Sequence, residues 1–254
     1  MACLPEDKLL ALRELIHSWM PRRWCRKQEL ESLIGHLHHA AKVVWPGRAF
    51  LRRFIDLLCC FRNNGHPVWI NQEFRIDPQW WQQFLASWDG VGLWLYPVMS
   101  AATDVEVTSD AAGAIGFGAY SQGQWFYGAW SMVQARQSIG YQELFPVLIA
   151  AHLLGSLLSR KHVLFRSDNE AVVAILTTRT SKVPALMHLL HDLLLSTARW
   201  GFTLTAAHVP GVENKIADAI SRFRWQEFRQ LAPEAHSFPC LIPQLLLDSL
   251  TPPP

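Results

Sequence analysis

The chain of 254 residues is long enough for one large domain or two small ones. Half of its residues are hydrophobic and 17% are charged, which excludes a mini-domain and wholesale disorder. The net charge of +2 hides an asymmetry: residues 1–62 hold 11 Lys and Arg against 6 Asp and Glu, net +5, and the remainder is net −3. A basic block attracts phosphates by releasing their counterions, although a solvated set of helix faces accounts for it more simply.

Five cysteines (Cys3, Cys25, Cys59, Cys60, Cys240) are odd in number, show no C-x-x-C spacing and follow no secretory leader. They argue against a disulfide framework or a zinc ribbon and suit a reducing, intracellular setting, cytoplasmic or nuclear. The most apolar stretch, residues 144–159, contains Pro146 and His152 and falls short of the roughly 20 residues that cross a bilayer, so no membrane segment is expected.

In chain order, residues 5–62 predict a small helical module. Leu9, Leu12, Leu15, Ile16 and Trp19, then Leu30, Leu33, Ile34, Leu37 and Ala41, recur at spacings of three or four, with breaks at Pro21 and Pro46-Gly47. Asn63-Asn64-Gly65 marks a turn, and residues 63–100 read as a connection holding an extended piece (67–71) and a short helix that Asp77-Pro78 would cap and open. From Asp104 the period becomes two: Val105 and Val107 face one way and Glu106, Thr108 and Asp110 the other. Strand-like runs follow at 115–120 and 124–130, joined by Ser121-Gln122-Gly123. Beyond them the pattern predicts a helix (141–158), a strand (162–167), helices (169–176 and 183–200), a strand (202–207) and a last helix (212–222). The order predicts an α/β fold: a mixed five-stranded sheet with flanking helices, occupying residues 101–224. Residues 225–254 form a tail rich in proline from Ala232 onward, ending in Pro252-Pro253-Pro254, and are expected to be poorly ordered.

Four acids stand at element boundaries. Asp110 closes the first strand ahead of Ala111-Ala112-Gly113, Glu143 lies in the first turn of an apolar helix, Asp168 follows the fourth strand at a natural N-cap, and Asp218 interrupts the apolar side of the last helix. Separately each has an ordinary explanation as a turn residue, dipole partner or cap. Strand ends and helix starts of an α/β sheet are also where side chains converge, and carboxylates that converge need cations. Oxygen-only ligands favour Mg²⁺ or Mn²⁺, and the chemistry such a group suits is phosphodiester cleavage assisted by two metal ions.

The Ser109-Asp110 strand, Glu143, Ser167-Asp168-Asn169 and the run from His208 to Arg222, H-x-x-G-x-x-N-x-x-A-D-x-x-S-R, resemble the ribonuclease H domain of retroelement reverse transcriptases. Residues 33–37, 43–48, 50–53 and 80–85 more loosely resemble the thumb and connection that precede that domain in DIRS-type retrotransposon polymerases. With no Y-x-D-D and little chain ahead of residue 1, a polymerase palm is not expected.

The resemblance implies an endonuclease that cuts the RNA strand of RNA–DNA hybrids. Asp110, Glu143, Asp168 and Asp218 would hold two Mg²⁺ ions, for which Mn²⁺ substitutes, and His208 would assist near the scissile phosphate. Without the motif around it, His208 reads as a polar loop residue. Ser109, Asn169 and Asn214 could recognise ribose hydroxyls, and Arg22, Arg23, Arg26, Lys27, Arg48, Arg52 and Arg53 could hold phosphates. Partners would be the hybrid and a polymerase-bearing chain or polyprotein. His36, His38 and His39 point to different sides of a helix and read as structural or solvated. Trp69, Trp80, Trp81, Trp88 and Trp94 read as interdomain packing rather than base stacking. Two other functions compete. One is a non-catalytic nucleic-acid-binding remnant. The other is a DDE-type integrase, disfavoured because Glu143 falls between the first two aspartates.

Overall fold

The computed structural model describes residues 2–62, 65–87, 91–92 and 103–250. It divides into two units near residue 98. Asn63, Asn64, Trp88, Trp94 and the terminal Pro252-Pro253-Pro254 lie outside the described residues.

In the first unit, helices α1 (Glu6–Trp19) and α2 (Lys27–Ala40) are followed by a 3₁₀ segment (Trp45–Leu51), α3 (Arg52–Cys59) and α4 (Ile76–Ser87). The predicted apolar spacing becomes the buried face: Leu9, Leu12, Ile16 and Trp19 on α1, Leu30, Leu33 and Leu37 on α2. The extended piece forms a two-residue strand, Val68–Trp69, antiparallel to Trp24–Cys25. Two expectations change here. Trp80 and Trp81 do not wait for another domain; they are buried within this unit, Trp80 stacked on Phe50 at 3.7 Å and Trp81 donating its indole N–H to the Phe50 carbonyl at 3.0 Å. Asp77 is not a cap: α4 begins one residue earlier, and the Asp77 carboxylate, fully buried, accepts from the Arg53 backbone N–H and guanidinium at 3.1 and 2.8 Å. Burial pushes the Asp77 pKa up to about 6 despite Arg53.

The second unit is built on β1 (Val105–Ala112), β2 (Gly116–Ser121), β3 (Gln124–Ala129), β4 (His162–Ser167) and β5 (Thr203–His208). Their order in the sheet is β3-β2-β1-β4-β5, with the first three antiparallel and β1, β4 and β5 parallel. Between and after them lie α5 (Met132–Ala135), α6 (Ile139–Leu153), α7 (Gly155–Leu158), α8 (Glu170–Thr178), α9 (Pro184–Trp200), α10 (Lys215–Ser221), α11 (Trp225–Leu231) and α12 (Gln244–Leu250). This is the mixed five-stranded sheet with flanking helices that the sequence predicts. Gln122 and Gly123 both have positive φ (47° and 85°), the two-residue turn whose twist suits a hairpin between β2 and β3. Close packing of α10 on β2 needs Gly118, where a Cβ would collide with Ile220.

The tail differs from its expectation. The His236 N–H donates to Gly123 and the Cys240 N–H to Trp125, each through the backbone (2.9 and 2.8 Å), while the Trp125 indole donates to the His236 carbonyl at 2.8 Å. The chain therefore follows the open edge of β3 and supplies partners that an edge strand otherwise lacks. Phe228, Ala232 and Ala235 pack with Trp125 and Ile220, and the Tyr141 hydroxyl donates to the Leu250 carbonyl at 3.1 Å. Proline-rich composition stops helices and strands without preventing such anchoring.

Candidate metal centre

The parallel pairing of β1 with β4 matches Thr108 with Arg166, so two residues further along each chain stand Asp110 and Asp168, side by side at the carboxyl ends of adjacent strands. Asp110 lies inside β1, which continues to Ala112. Asp168 is not a helix cap: Asn169 caps α8, its side-chain oxygen accepting from the Ala171 and Val172 N–H groups at 3.0 and 3.2 Å, which leaves the Asp168 carboxylate unspent on the helix. Glu143 comes from α6, which starts two residues earlier than predicted because Ser138 caps it, so the acid stands in the second turn rather than the first. Gln142, its neighbour, donates to the Gly113 carbonyl at 3.0 Å and ties α6 to the loop after β1.

One carboxylate oxygen from each of Asp110, Glu143 and Asp168 lies within 4.8 Å of the other two. Asp110 and Glu143 are buried, at 4% and 7% exposure. Burial, helped by Asp110 and Asp168, pushes the Glu143 pKa up to about 9. Burial likewise raises Asp110 to about 6; the Ser221 hydroxyl, donating to Asp110 Oδ2 at 2.5 Å, pulls it down, and Asp168 and Asp218 push it up. Glu143 Oε2 is buried with no hydrogen-bond partner. Three hard oxygen donors converging around an orphaned buried carboxylate oxygen fit a divalent cation, which would remove both the mutual repulsion and the missing partner.

The fourth predicted acid is not one of the three. Asp218 is half-buried on α10, where Arg222 Nε donates to its Oδ1 at 2.6 Å and Arg224 pairs with its Oδ2. Its charge still reaches Asp110. His208, exposed at the end of β5, donates from Nε2 to the Asp168 carbonyl at 3.2 Å.

Of the other predicted contacts, Asn169, Asn214, Arg52 and Arg53 already have partners within the chain. Ser109 is fully buried, its hydroxyl without a partner. The Asn214 amide donates to the Ser109 carbonyl at 3.0 Å and leaves its own Oδ1 buried and unpaired. In the first unit Arg52 pairs with Asp56 at 2.7 Å and Arg53 with Asp77, whereas Arg48 is exposed. Sequence reasoning assigned no role to Ser221, to Gly211, where a Cβ would approach Asp168 Oδ2 to 3.3 Å, or to Arg222. All three were legible as members of the final motif. Arg224, just beyond it, carried no such signal.

No protein-family model matches the chain, and no curated protein matches its sequence. Among solved structures it is similar to LC11-RNase H1 in complex with an RNA/DNA hybrid, at 18% identity and a TM-score of 0.38 over 46% of this chain and 92% of that one. It is also similar to a foamy viral protease-reverse transcriptase in complex with double-stranded DNA, at 12% identity and a TM-score of 0.30 over 78% of this chain and 34% of that one. No helix among the described residues is long and apolar enough to cross a membrane.

Proposed function

We propose that this chain is a divalent-cation-dependent endonuclease that hydrolyses the RNA strand of RNA–DNA hybrids. The observation that carries the proposal is the convergence of Asp110, Glu143 and Asp168 within 4.8 Å, with a Glu143 oxygen buried and unpartnered. The carboxyl ends of parallel strands such as β1 and β4 are where open α/β sheets bind their ligands.

Asp110, Glu143 and Asp168 would hold Mg²⁺ or Mn²⁺, with Asp218 completing a two-ion set on release from Arg222 and Arg224. Bound there, the cations would lower the pKa of an attacking water and stabilise charge on the leaving oxygen. The chain's own residues prepare the site. Ser221 and Asn214 fasten the two ends of α10 to Asp110 and Ser109, so the helix bearing Asp218 is fixed to the strand bearing Asp110. Gly211 leaves space for the Asp168 carboxylate. The hydrogen bond from Nε2 to the Asp168 carbonyl holds the His208 ring at the exposed rim beside that acid. Arg222 and Arg224 would exchange Asp218 for phosphate oxygens, a trade between like anions.

The motif from His208 to Arg222 supports placing the chain with retroelement polymerases, and residues 33–37, 43–48, 50–53 and 80–85 more loosely support a thumb and connection of DIRS type in the first unit. A polymerase-bearing chain or polyprotein would then be its partner.

The test is an RNA strand labelled at its 5′ end, annealed to DNA and incubated with the full chain. Short RNA products in Mg²⁺ or Mn²⁺, none in EDTA and an intact DNA strand are expected. Hybrid binding without product in either metal would favour a non-catalytic remnant instead.

A further inference from the structure

The first unit carries an aromatic surface with no role in the nuclease. In the two-stranded ribbon of Trp24–Cys25 and Val68–Trp69, Trp24 stands directly opposite Trp69. Paired residues share one face of a ribbon, and this face is outward: Trp24 is 51% and Trp69 71% exposed, while the neighbouring Cys25 is fully buried. Two large indoles left in water on a ribbon otherwise anchored to the core are costly unless something covers them.

The surroundings say what. The indoles border an open cavity of about 560 Å³, lined also by Pro21, Arg22, Arg23 and Glu29. Arg22 is committed: it pairs with Glu29 at 3.2 Å and lies over the Trp19 ring at 4.6 Å. Arg23 is exposed and has no carboxylate partner among the described residues. The backbone beneath is held firmly, since the Arg75 guanidinium donates to the Met20 and Arg22 carbonyls at 2.7 and 2.9 Å and the Ile70 N–H to the Arg23 carbonyl at 2.9 Å.

We infer that Trp24 and Trp69, with Arg23 beside them, form a binding site for unpaired nucleic acid, each indole stacking a base and the guanidinium taking a phosphate. Flat aromatic faces next to an uncommitted cation match the alternation of base and phosphate along a single strand. A duplex keeps its base faces inside the stack and cannot offer them. Pairing of this face with the same face of a second copy is disfavoured by the unit's charge, 12 Lys and Arg against 9 Asp and Glu over residues 1–98, net +3, which attracts an anion and repels itself. The site goes beyond the nuclease reading: it lies in the other unit, uses none of the acids, and shares with that reading only Arg23 as a phosphate contact.

Binding of fluorescent dT₂₀ and rU₂₀ to the full chain tests the inference. Both strands should bind with quenching of indole fluorescence, and Trp24→Leu or Trp69→Leu, which keep apolar bulk but lose the ring, should each weaken binding about tenfold or more. Arg23→Ala should weaken it and lessen its salt dependence. Asp110→Asn should leave it unchanged while removing hybrid cleavage, so failure here is separable from failure of the nuclease. Should a leucine variant misfold, shielding of the parent's indoles from acrylamide by dT₂₀ gives the same answer. Unaltered affinity in the folded Leu variants, no binding of either strand, or no such shielding would overturn the inference. So would Trp24- and Trp69-dependent dimerisation, or dependence on them only for vesicles of phosphatidylserine and phosphatidylcholine.

Discussion

Ser221 donates its hydroxyl proton to Asp110 across 111 residues of chain, and this 2.5 Å hydrogen bond is the strongest influence lowering an acid that burial still leaves raised to about 6. Replacing Ser221 by Ala removes a hydrogen bond to the ionised form alone. Asp110 in Ser221→Ala should therefore titrate higher, by about one pH unit for a charge-assisted bond. The acid limb of Mn²⁺ binding, followed by calorimetry between pH 5 and 8, should move upward in that variant. An unmoved limb would mean that Asp110 does not control metal binding.

The buried acids should cost stability when no cation is present. Both Asp110 and Glu143 titrate higher in the folded protein than in the unfolded chain, so their contribution is fully present below about pH 4 and is lost as pH rises through about 6 and then about 9. Asp77 acts in the same direction in the first unit. Glu143→Gln should accordingly melt higher than the parent at pH 8 in EDTA, by at least about 2–4 °C for each ~1 kcal/mol regained. Mg²⁺ should raise the parent's melting temperature and close the gap, because it binds only the folded acids of the parent.

Gly211 makes a sharper test of geometry than of charge. A Cβ there would approach Asp168 Oδ2 to 3.3 Å, close enough to push the carboxylate by a few tenths of an ångström. Gly211→Ala should leave the melting temperature nearly unchanged in EDTA and weaken Mn²⁺ binding several-fold. Equal loss of both would show that the glycine serves folding alone.

Residues beyond 235 should matter to the sheet although none belongs to the site. Ending the chain at 235 removes the backbone bonds from His236 and Cys240 to the β2–β3 turn and to Trp125. The truncated protein should melt several degrees lower and associate through its bare edge, which light scattering would detect.

Period-two and period-three-to-four patterns made most of the second unit legible, because β1 begins with, and β4 keeps, an alternating burial and α9 presents a broad apolar face. β4 matches its prediction residue for residue. The misses are local or distant in kind. The four-residue α5, opened by Ser131, is too short for any periodicity, and the Ser138 cap shifted Glu143 by half a turn. Ser167-Asp168-Asn169 contains three residues able to cap a helix, and the sequence does not say that Asn169 takes the cap while Asp168 joins the other acids. The Arg53–Asp77 pair joins positions 24 residues apart on different helices, and composition gave no sign that either would be buried. Trp80 and Trp81 against Trp69 show the same limit: all three read as packing residues, and their spacing did not say which indoles would stay outside.

The most direct measurement is RNA-strand cleavage in a hybrid by the parent, Asp110→Asn and Glu143→Gln chains side by side, at matched Mg²⁺ and with thermal melting to confirm each fold. The account predicts cleavage by the parent and loss of at least about a hundredfold in both folded variants, since each removes a ligand charge. Mg²⁺-dependent cleavage at the parental rate by either variant would contradict it.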